Sequence, residues 1–252
     1  MTDSLLRIAA LARHNAVLRR RDPGQFLSYL VMPMLLMSVL APVFRRAAAG
    51  GSAQVVTGML VIYSTLALSI VGTATLAERV WHTWDRLRVT RAGGAELLLG
   101  KTLPAYAVLL LQQAALLTYG AVVVGARPHG PAACGLLAVA VAVWSATLLA
   151  AGNALAAVVR SFGELGAACD IGALAFATLG GALVPTSMFP AWLRPAAPAS
   201  PGYWALSMLQ AAMRGDVHRT LVPAAVLLTA GLAASAFAVR RLTRPRGRTT
   251  LL

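Results

Sequence analysis

Charged residues are scarce in this sequence of 252 residues: they make up 12% of it, whereas hydrophobic residues make up 58%. A soluble domain carries about 25% charged residues and rarely exceeds about 50% apolar residues. The composition therefore excludes an ordinary soluble domain and predicts a multi-pass integral membrane protein. The stretches between the apolar runs are too short to hold a further soluble domain.

Cysteine is nearly absent, and the two cysteines, Cys134 and Cys169, stand far apart in or beside apolar sequence. Without C-x-x-C spacing they favour neither a zinc site nor a disulfide framework, and we expect both to be small buried hydrophobic residues. The four histidines lie outside the apolar runs, which argues against a haem or a metal ion inside a helical bundle. We predict no cofactor or metal bound by this chain.

Acidic residues are fewer than basic ones, eight against 22, so the formal net charge is +14. The basic residues cluster beside the apolar runs, which is how membrane orientation is encoded. Nucleic-acid binding would instead need a basic patch on a folded soluble face. We therefore expect a lipid bilayer and no nucleic acid as a partner.

Six apolar runs are long enough to cross the hydrocarbon core of a bilayer, which needs about 20 residues. They do not alternate with the two-residue period of barrel strands, so we predict helices. The fold class is an all-α integral membrane protein with one transmembrane domain, residues 1–252. Its spans are approximately residues 25–44, 55–77, 103–126, 132–159, 165–189 and 221–239.

Lys and Arg are distributed unequally between the two sides of these spans. Sixteen lie on the side that carries both termini and six on the other side. Because cytoplasmic segments carry the excess of Lys and Arg, we predict a cell-membrane protein with cytoplasmic N- and C-termini. Residues 2–22 are weakly amphipathic, and we expect them to form a helix along the cytoplasmic interface.

The segment AELLLGKT, residues 95–102, fits a lenient form of the phosphate-loop pattern. A phosphate loop needs a Gly-rich turn between a strand and a helix, whereas Glu-Leu-Leu-Leu is a run of strong helix formers. Pro104 and an apolar span follow directly. We therefore predict a helical lead-in to the third span, with Lys101 at its cytoplasmic mouth, and no nucleotide site.

The stretch ERVWHTWDRLRV, residues 78–89, comes just before this segment. Val80, Trp84 and Leu87 fall on one face at helical spacing, which predicts a short helix. Two interpretations stay open. The helix is anchored in the interface by its Trp residues, or it is a docking surface for a cytoplasmic partner, for which exposed Trp and Arg are typical anchors.

Two segments carry a resemblance to a known family. The first follows the second span, and its matching positions are Glu78, Thr83, Arg88, Thr90, Glu96, Leu99, Gly100 and Lys101. The second is VPTSMFPAWLRPAAPASPGYWAL, residues 184–206, with matches at Pro185, Pro190, Trp192, Leu193, Pro198, Pro201 and Trp204. In their order and with six spans, they resemble the permease subunit of an ABC-2 type transporter, in the drug and polysaccharide exporter group. His82 and Arg91 depart from the family pattern, which leaves the exact loop geometry open.

The resemblance implies that this chain is not an enzyme. ATP and Mg²⁺ would bind to a separate ATP-binding-cassette subunit, which docks on the cytoplasmic loop 78–102. The residues that would couple to it, in a short coupling helix, are Glu78, Trp81, Thr83, Trp84, Asp85, Arg88 and Thr90. A second permease copy, identical or paralogous, would complete the pathway for a small amphipathic substrate, whether drug-like, lipid-linked or peptide.

The resemblance also implies an external gate between spans five and six, made of short re-entrant helices. Its residues would be Pro185, Pro190, Trp192, Pro198 and Trp204. Transport would then alternate between states open to the cytoplasm and to the outside.

Polar residues within the spans are the remaining candidates. Asp170 is the sole acid in a span, near the predicted start of the fifth, and is either a functional intramembrane group or an interfacial carboxylate. Gln112, Gln113 and Asn153 either hold helices together or contact the substrate. Two other functions stay open: an ion-coupled secondary transporter, a class that often shows inverted repeats, and a non-transporting membrane scaffold.

Overall fold

The computed structural model describes residues 9, 12–13, 24–47, 51–65, 67–81 and 94–243. In those ranges the chain is built of α-helices, with one π-helical turn and two short 3-10 helices, and without a strand. The α-helices are α1 Gly24–Ala47, α2 Gly51–Thr65, α3 Ala67–Val80, α4 Gly94–Tyr119, α5 Pro131–Val158, α6 Phe162–Leu179, α7 Pro201–Met213 and α8 Val217–Thr243.

Six helical segments of the described chain are long and apolar enough to cross a membrane. They are Leu27–Arg46, Gly51–Ala77, Leu98–Val124, Pro131–Val158, Phe162–Leu179 and Val217–Leu242. Helices α2 and α3 together form the second span, and α4 with its π-helical extension Gly120–Val124 forms the third. The predicted all-α membrane fold with six spans is confirmed, and the cytoplasmic position of the termini stays a prediction.

The fifth span ends earlier than the sequence indicated. Helix α6 stops at Leu179, whereas the predicted span ran on to residue 189. Gly181 follows with φ at 79°, in the left-handed region that a side chain rarely adopts. Pro185 then precedes a short 3-10 helix, Thr186–Met188. Hydropathy alone extended the span because the residues after Leu179 are apolar, although their backbone leaves the helix.

Two predicted helices fall largely outside the described residues. The interfacial helix 2–22 is described only at residues 9 and 12–13, which are helical. The short helix 78–89 is described only where it overlaps the end of α3, and Trp81 there lies in a turn. Both helices stay predictions.

Helix α5 is the centre of the bundle, with α3, α4, α7 and α8 packed against it. Trp144 is fully buried on α5, and its indole Nε1 donates a hydrogen bond to Ser64 Oγ at 2.7 Å. Gly152 permits close approach of α3, since a Cβ there would lie 2.9 Å from the carbonyl oxygen of Leu68. Small residues at such crossings are typical of helix packing in membranes.

The bundle has two ends, which we name after a buried polar residue at each. The Lys101 end holds the last turns of α3, α5 and α8 and the first turns of α1, α4 and α6. The Gln54 end holds the opposite ends of these helices, the start of α2, the segment 180–200 and helix α7.

Candidate functional site

The segment AELLLGKT forms the first turns of α4, which continues through Pro104 into the third span. The predicted helical lead-in is therefore confirmed. In an α-helix, each N–H beyond the first turn bonds to the carbonyl four residues earlier. The backbone donors around Gly100 and Lys101 are thus used within the helix, whereas those of a phosphate loop converge on the phosphates.

Asn153, on α5, joins the two helices that flank residues 82–93. Its side-chain oxygen accepts a hydrogen bond from Thr75 Oγ1 on α3 at 2.8 Å. Its side-chain nitrogen donates to Thr102 Oγ1 on α4 at 3.0 Å. Both Asn153 and Thr75 are buried, and satisfied polar bonds in a low-dielectric interior rigidify the elements they join. Asn153 therefore bridges three helices at the Lys101 end.

Lys101 adds a charged contact to this cluster. Its side chain is only 7% exposed, and Nζ donates to the carbonyl oxygen of Ala74 on α3 at 3.4 Å. The sequence placed Lys101 at the mouth of the third span, and the structure adds that it is packed against the preceding span. We name the group formed by Thr75, Lys101, Thr102 and Asn153 the Asn153 clasp.

The predicted coupling residues lie directly beyond the clasp. Glu78 belongs to the last turn of α3, and Trp81 follows it with its side chain exposed. The Trp81 ring lies 6.5 Å, centroid to centroid, from the ring of Phe162 at the start of α6. Thr83, Trp84, Asp85, Arg88 and Thr90 lie outside the described residues. The structure thus places the described part of this loop beside the α5–α6 connection.

Gln112 and Gln113 are buried in the middle of α4. Gln112 Nε2 donates to the carbonyl oxygen of Tyr29 on α1 at 3.2 Å, which ties the first span to the third. In the part of the chain that the structure describes, Gln113 Oε1 is buried and accepts no hydrogen bond. Gln112 therefore contacts a neighbouring helix directly.

Asp170 lies near the middle of α6 and not near its start, because the span begins at Phe162 and ends at Leu179. Its side chain is exposed on the outer face of the helix, next to Ile171 and one turn before Leu174, which are 70% and 62% exposed. A charged carboxylate facing hydrocarbon is costly. Contact of this face of α6 with water or protein would remove that cost.

Gln54 organises the opposite end of the bundle. Its side chain is buried, and Nε2 donates to the carbonyl oxygen of Gly181 at 2.8 Å. Its Oε1 accepts a hydrogen bond from Gln210 Nε2 on α7 at 2.6 Å. Sequence reasoning missed Gln54, although an amide one residue before the predicted second span was a visible signal.

Four of the predicted gate residues lie in the segment between α6 and α7, and the fifth, Trp204, lies in the first turn of α7. Trp204 Nε1 donates to the carbonyl oxygen of Pro198 at 2.8 Å, which closes the second 3-10 helix, Arg194–Ala199, onto α7. Arg194 donates through Nε to the carbonyl oxygen of Phe189 at 3.0 Å and through a terminal nitrogen to Ser187 at 2.9 Å.

One aromatic side chain of this segment is largely exposed. Trp192 is 78% exposed and lies between Pro190 and the second 3-10 helix, while Pro185 directly precedes the first. The segment is therefore folded by its own hydrogen bonds, with Trp192 projecting from it.

Helix α7 is a short helix between the fifth and sixth spans, and its predicted re-entrant, external position stays a prediction. Ser200 caps it, since its Oγ accepts a hydrogen bond from the N–H of Gly202 at 3.2 Å. Helix α7 packs against α2, α5 and α8 and buries most of its surface. Its 13 residues rise about 20 Å, which is too short for a bilayer core of about 30 Å.

Comparison with known families matches residues 7–213 to the ABC-2 type transporter family. No curated protein matches the chain. The family match covers more than half of the chain and includes the Asn153 clasp, the loop 78–102 and the segment that leads into α7. The chain therefore belongs to the ABC-2 type transporter family and is the membrane-spanning subunit of a transporter.

Proposed function

We propose that this chain is the permease of an ATP-driven exporter, in which a separate ATP-binding-cassette subunit hydrolyses ATP. Family membership supports this, because ABC-2 permeases normally work with an ATPase subunit. The observation that carries the proposal is the Asn153 clasp. It links α3 and α4, the helices on either side of the loop, to α5 at the centre of the bundle.

The clasp supplies a route for coupling. The chain would leave the membrane at the end of α3 and return at the start of α4, and Asn153 fixes both helices to α5. When the ATPase subunits close on ATP, a displacement of the loop would move the ends of these three helices together. Because α5 is packed against α7 and α8, the displacement would reach the Gln54 end as a rigid shift of packed helices.

The docking surface on this chain would combine the loop with the start of α6. Trp81 and Phe162 form an exposed aromatic pair there, and Trp84 and Arg88 follow in the loop. Exposed Trp and Arg side chains are common anchors of protein interfaces. The predicted coupling residues and the described aromatic pair thus support one contiguous contact area for the ATPase subunit.

A second copy of the permease, identical or paralogous, would pack against the outer face of α6. Asp170 faces outwards there between exposed apolar residues, among them Ile171 and Leu174. A carboxylate at such depth costs about 3 kcal/mol or more if it faces lipid. We therefore place Asp170 at an aqueous pathway between the two copies.

The segment 180–200 and α7 would form the external gate. The bonds of Gln54 to Gly181 and Gln210 hold this gate onto α2. The substrate would be small and amphipathic, drug-like or lipid-linked. In support, a pocket of about 380 Å³ lies between α4, α5 and α8. Most of its lining side chains are apolar, and Thr102, Tyr106 and Asn153 add polar groups. Such a mixture suits molecules that are mainly apolar with a few polar groups.

Reconstitution of the chain with its ATP-binding subunit in vesicles tests this function. We expect uptake of an amphipathic dye into inside-out vesicles that requires ATP and is unaffected when ion gradients are collapsed. Uptake that survives without ATP and disappears with the gradient would show an ion-coupled transporter instead. ATP hydrolysis that no tested compound stimulates, together with no uptake, would indicate a passive scaffold.

A further inference from the structure

Six arginines lie on the side predicted to face outwards, where Lys and Arg are normally depleted. Arg219 Nε lies 3.3 Å from Asp216 Oδ2, and Arg194 donates to backbone carbonyls of its own segment. Of the other four, three line a single pocket, and this convergence requires an explanation.

The pocket has a volume of about 480 Å³ and lies at the Gln54 end. Arg45 comes from the last turn of α1, Arg127 and His129 from the α4–α5 connection, and Arg214 from the end of α7. Ser52 and Gln210 also contribute to its wall. We name it the Arg pocket. Three distant parts of the chain thus each contribute an exposed Arg to the wall of one cavity.

The charges in the Arg pocket are unbalanced. Among the described residues that line it, none is Asp or Glu. The three Arg side chains are exposed, so water screens their repulsion in part, but like charges that share one cavity wall still disfavour one another. Arg45 uses Nε to donate to the carbonyl oxygen of Ala41, which leaves its terminal nitrogens for another acceptor. An anion in the pocket would offset the repulsion.

We propose that the Arg pocket binds a phosphate group. Guanidinium groups form a fork that matches phosphate oxygens, and Arg is preferred for such bidentate contacts. The hydroxyl of Ser52 and the amide of Gln210 add neutral hydrogen-bonding groups to the wall. The inference rests on the proposed function for its orientation, which puts the pocket at the level of outer-leaflet headgroups. The phosphate is then that of an anionic phospholipid or a free phosphate ion.

The position of the Arg pocket gives the bound phosphate a role. Gln210 lines the pocket, and its Nε2 also donates to Gln54, which holds Gly181. A phosphate held by Arg127 and Arg214 would therefore lie next to Gln210, whose hydrogen bond to Gln54 helps to hold the external gate. Occupancy of the pocket would stabilise one position of α7 relative to α2.

The test uses the full-length chain, purified in detergent, and its thermal unfolding. Dioleoylphosphatidylglycerol, dioleoylphosphatidylcholine and sodium phosphate are titrated separately at constant ionic strength. We expect the anionic lipid or phosphate to raise the unfolding midpoint, and the zwitterionic lipid to have little effect. In R127Q/R214Q the apparent affinity should fall about tenfold or more, because two charge-assisted contacts are lost.

The chain offers two matched controls. Arg46 follows Arg45 in the last turn of α1 but does not line the pocket, so R46Q removes the same charge from the same helix end as R45Q. R46Q/R219Q removes two charges from the same side of the protein. Both controls should keep the wild-type affinity within about twofold, as expected for screened charges outside the site.

The outcomes separate the two sources of phosphate and the alternatives. A shift produced by sodium phosphate that also displaces the lipid assigns the pocket to a free anion. A shift by the anionic lipid alone assigns it to a headgroup. Equal losses in R127Q/R214Q and R46Q/R219Q, or equal effects of the two lipids, would overturn the proposal. If R127Q/R214Q does not fold, R45Q against R46Q decides in the same way.

This measurement is independent of ATP. If the wild-type chain shows no preference for the anionic lipid or phosphate while ATP-dependent uptake is intact, phosphate binding in the Arg pocket is rejected and the proposed function is retained. Selective phosphate binding without ATP-dependent uptake would support the Arg pocket and reject the proposed function.

Discussion

Thr75 and Asn153 lie 78 residues apart in the chain, and the Thr75 hydroxyl donates to the Asn153 side-chain oxygen at 2.8 Å in the buried interior. The same amide donates to Thr102, so one side chain holds the helix that enters the loop 78–102 and the helix that leaves it. A permease that receives its energy through this loop needs such a connection, since a loop free to move alone would transmit nothing to the spans.

Replacement of Asn153 by Leu should uncouple the loop from the bundle. Leu has a similar volume but leaves the Thr75 and Thr102 hydroxyls without this partner, at a cost of about 1–2 kcal/mol in the free energy of unfolding. We expect ATP hydrolysis by the assembled complex to persist while the amount of substrate moved per ATP falls. Hydrolysis and uptake are measured in the same vesicles.

S145A is the matched control for N153L. Ser145 lies on the same helix and is buried, and its Oγ makes no hydrogen bond with the residues that the structure describes. S145A should therefore leave both stability and coupling unchanged. If N153L behaves like S145A, the clasp has no part in coupling.

Lys101 and Asn153 should act as one unit. K101M keeps the apolar stem but removes the ammonium group that donates to Ala74. Lys101 bonds to Ala74 and Asn153 to the adjacent Thr75, and mutations that share one network are non-additive, with interaction energies of about 0.5–3 kcal/mol. A double-mutant cycle with K101M and N153L, read from unfolding midpoints, should show a loss smaller than the sum of the single losses. Strict additivity would mean that the two side chains work independently.

Gln54 should contribute more to the stability of the gate than the exposed Trp192 does. Q54L removes the bonds to Gly181 and Gln210 and leaves a buried carbonyl unpaired, which costs about 1–3 kcal/mol. W192A alters a side chain that is largely exposed and should change stability by less than about 0.5 kcal/mol. Thermal unfolding of both variants tests this. Equal effects would show that the Gln54 bonds do not hold the gate.

Asp170 should matter for transport and not for assembly. D170N keeps the shape of the side chain and removes its charge, so we expect uptake to fall about tenfold, equivalent to about 1.4 kcal/mol, with the ATPase subunit still bound. L174A changes an exposed apolar residue on the same face of α6 and measures how far the loss of packing against the second copy alone lowers uptake. Unchanged uptake by D170N would show that the charge of Asp170 has no part in transport.

The sequence predicted those features that depend on neighbouring residues. The spans follow from continuous apolar runs, and the helical state of residues 95–102 follows from the helix formers Glu-Leu-Leu-Leu. The end of the fifth span was wrong because Gly181 and Pro185 redirect the backbone within an apolar stretch. That error also placed Asp170 near the start of its helix instead of its middle.

The contacts between distant residues could not be predicted in the same way. Gln54 meets Gly181 across 127 residues and Gln210 across 156. Such pairs depend on how the helices pack, which a single sequence does not specify. The Arg pocket is a further case: its arginines were counted as external charges, and only the fold shows that three of them share one cavity.

The most direct test of an ATPase-coupled permease is co-purification of this chain with its cognate ATP-binding subunit, expressed together and captured through a tag on the permease. The wild-type chain and N153L should both retain the subunit, whereas W84A/R88A should lose most of it. Failure of the wild-type chain to retain the subunit, or full retention by W84A/R88A, would contradict docking through the loop 78–102.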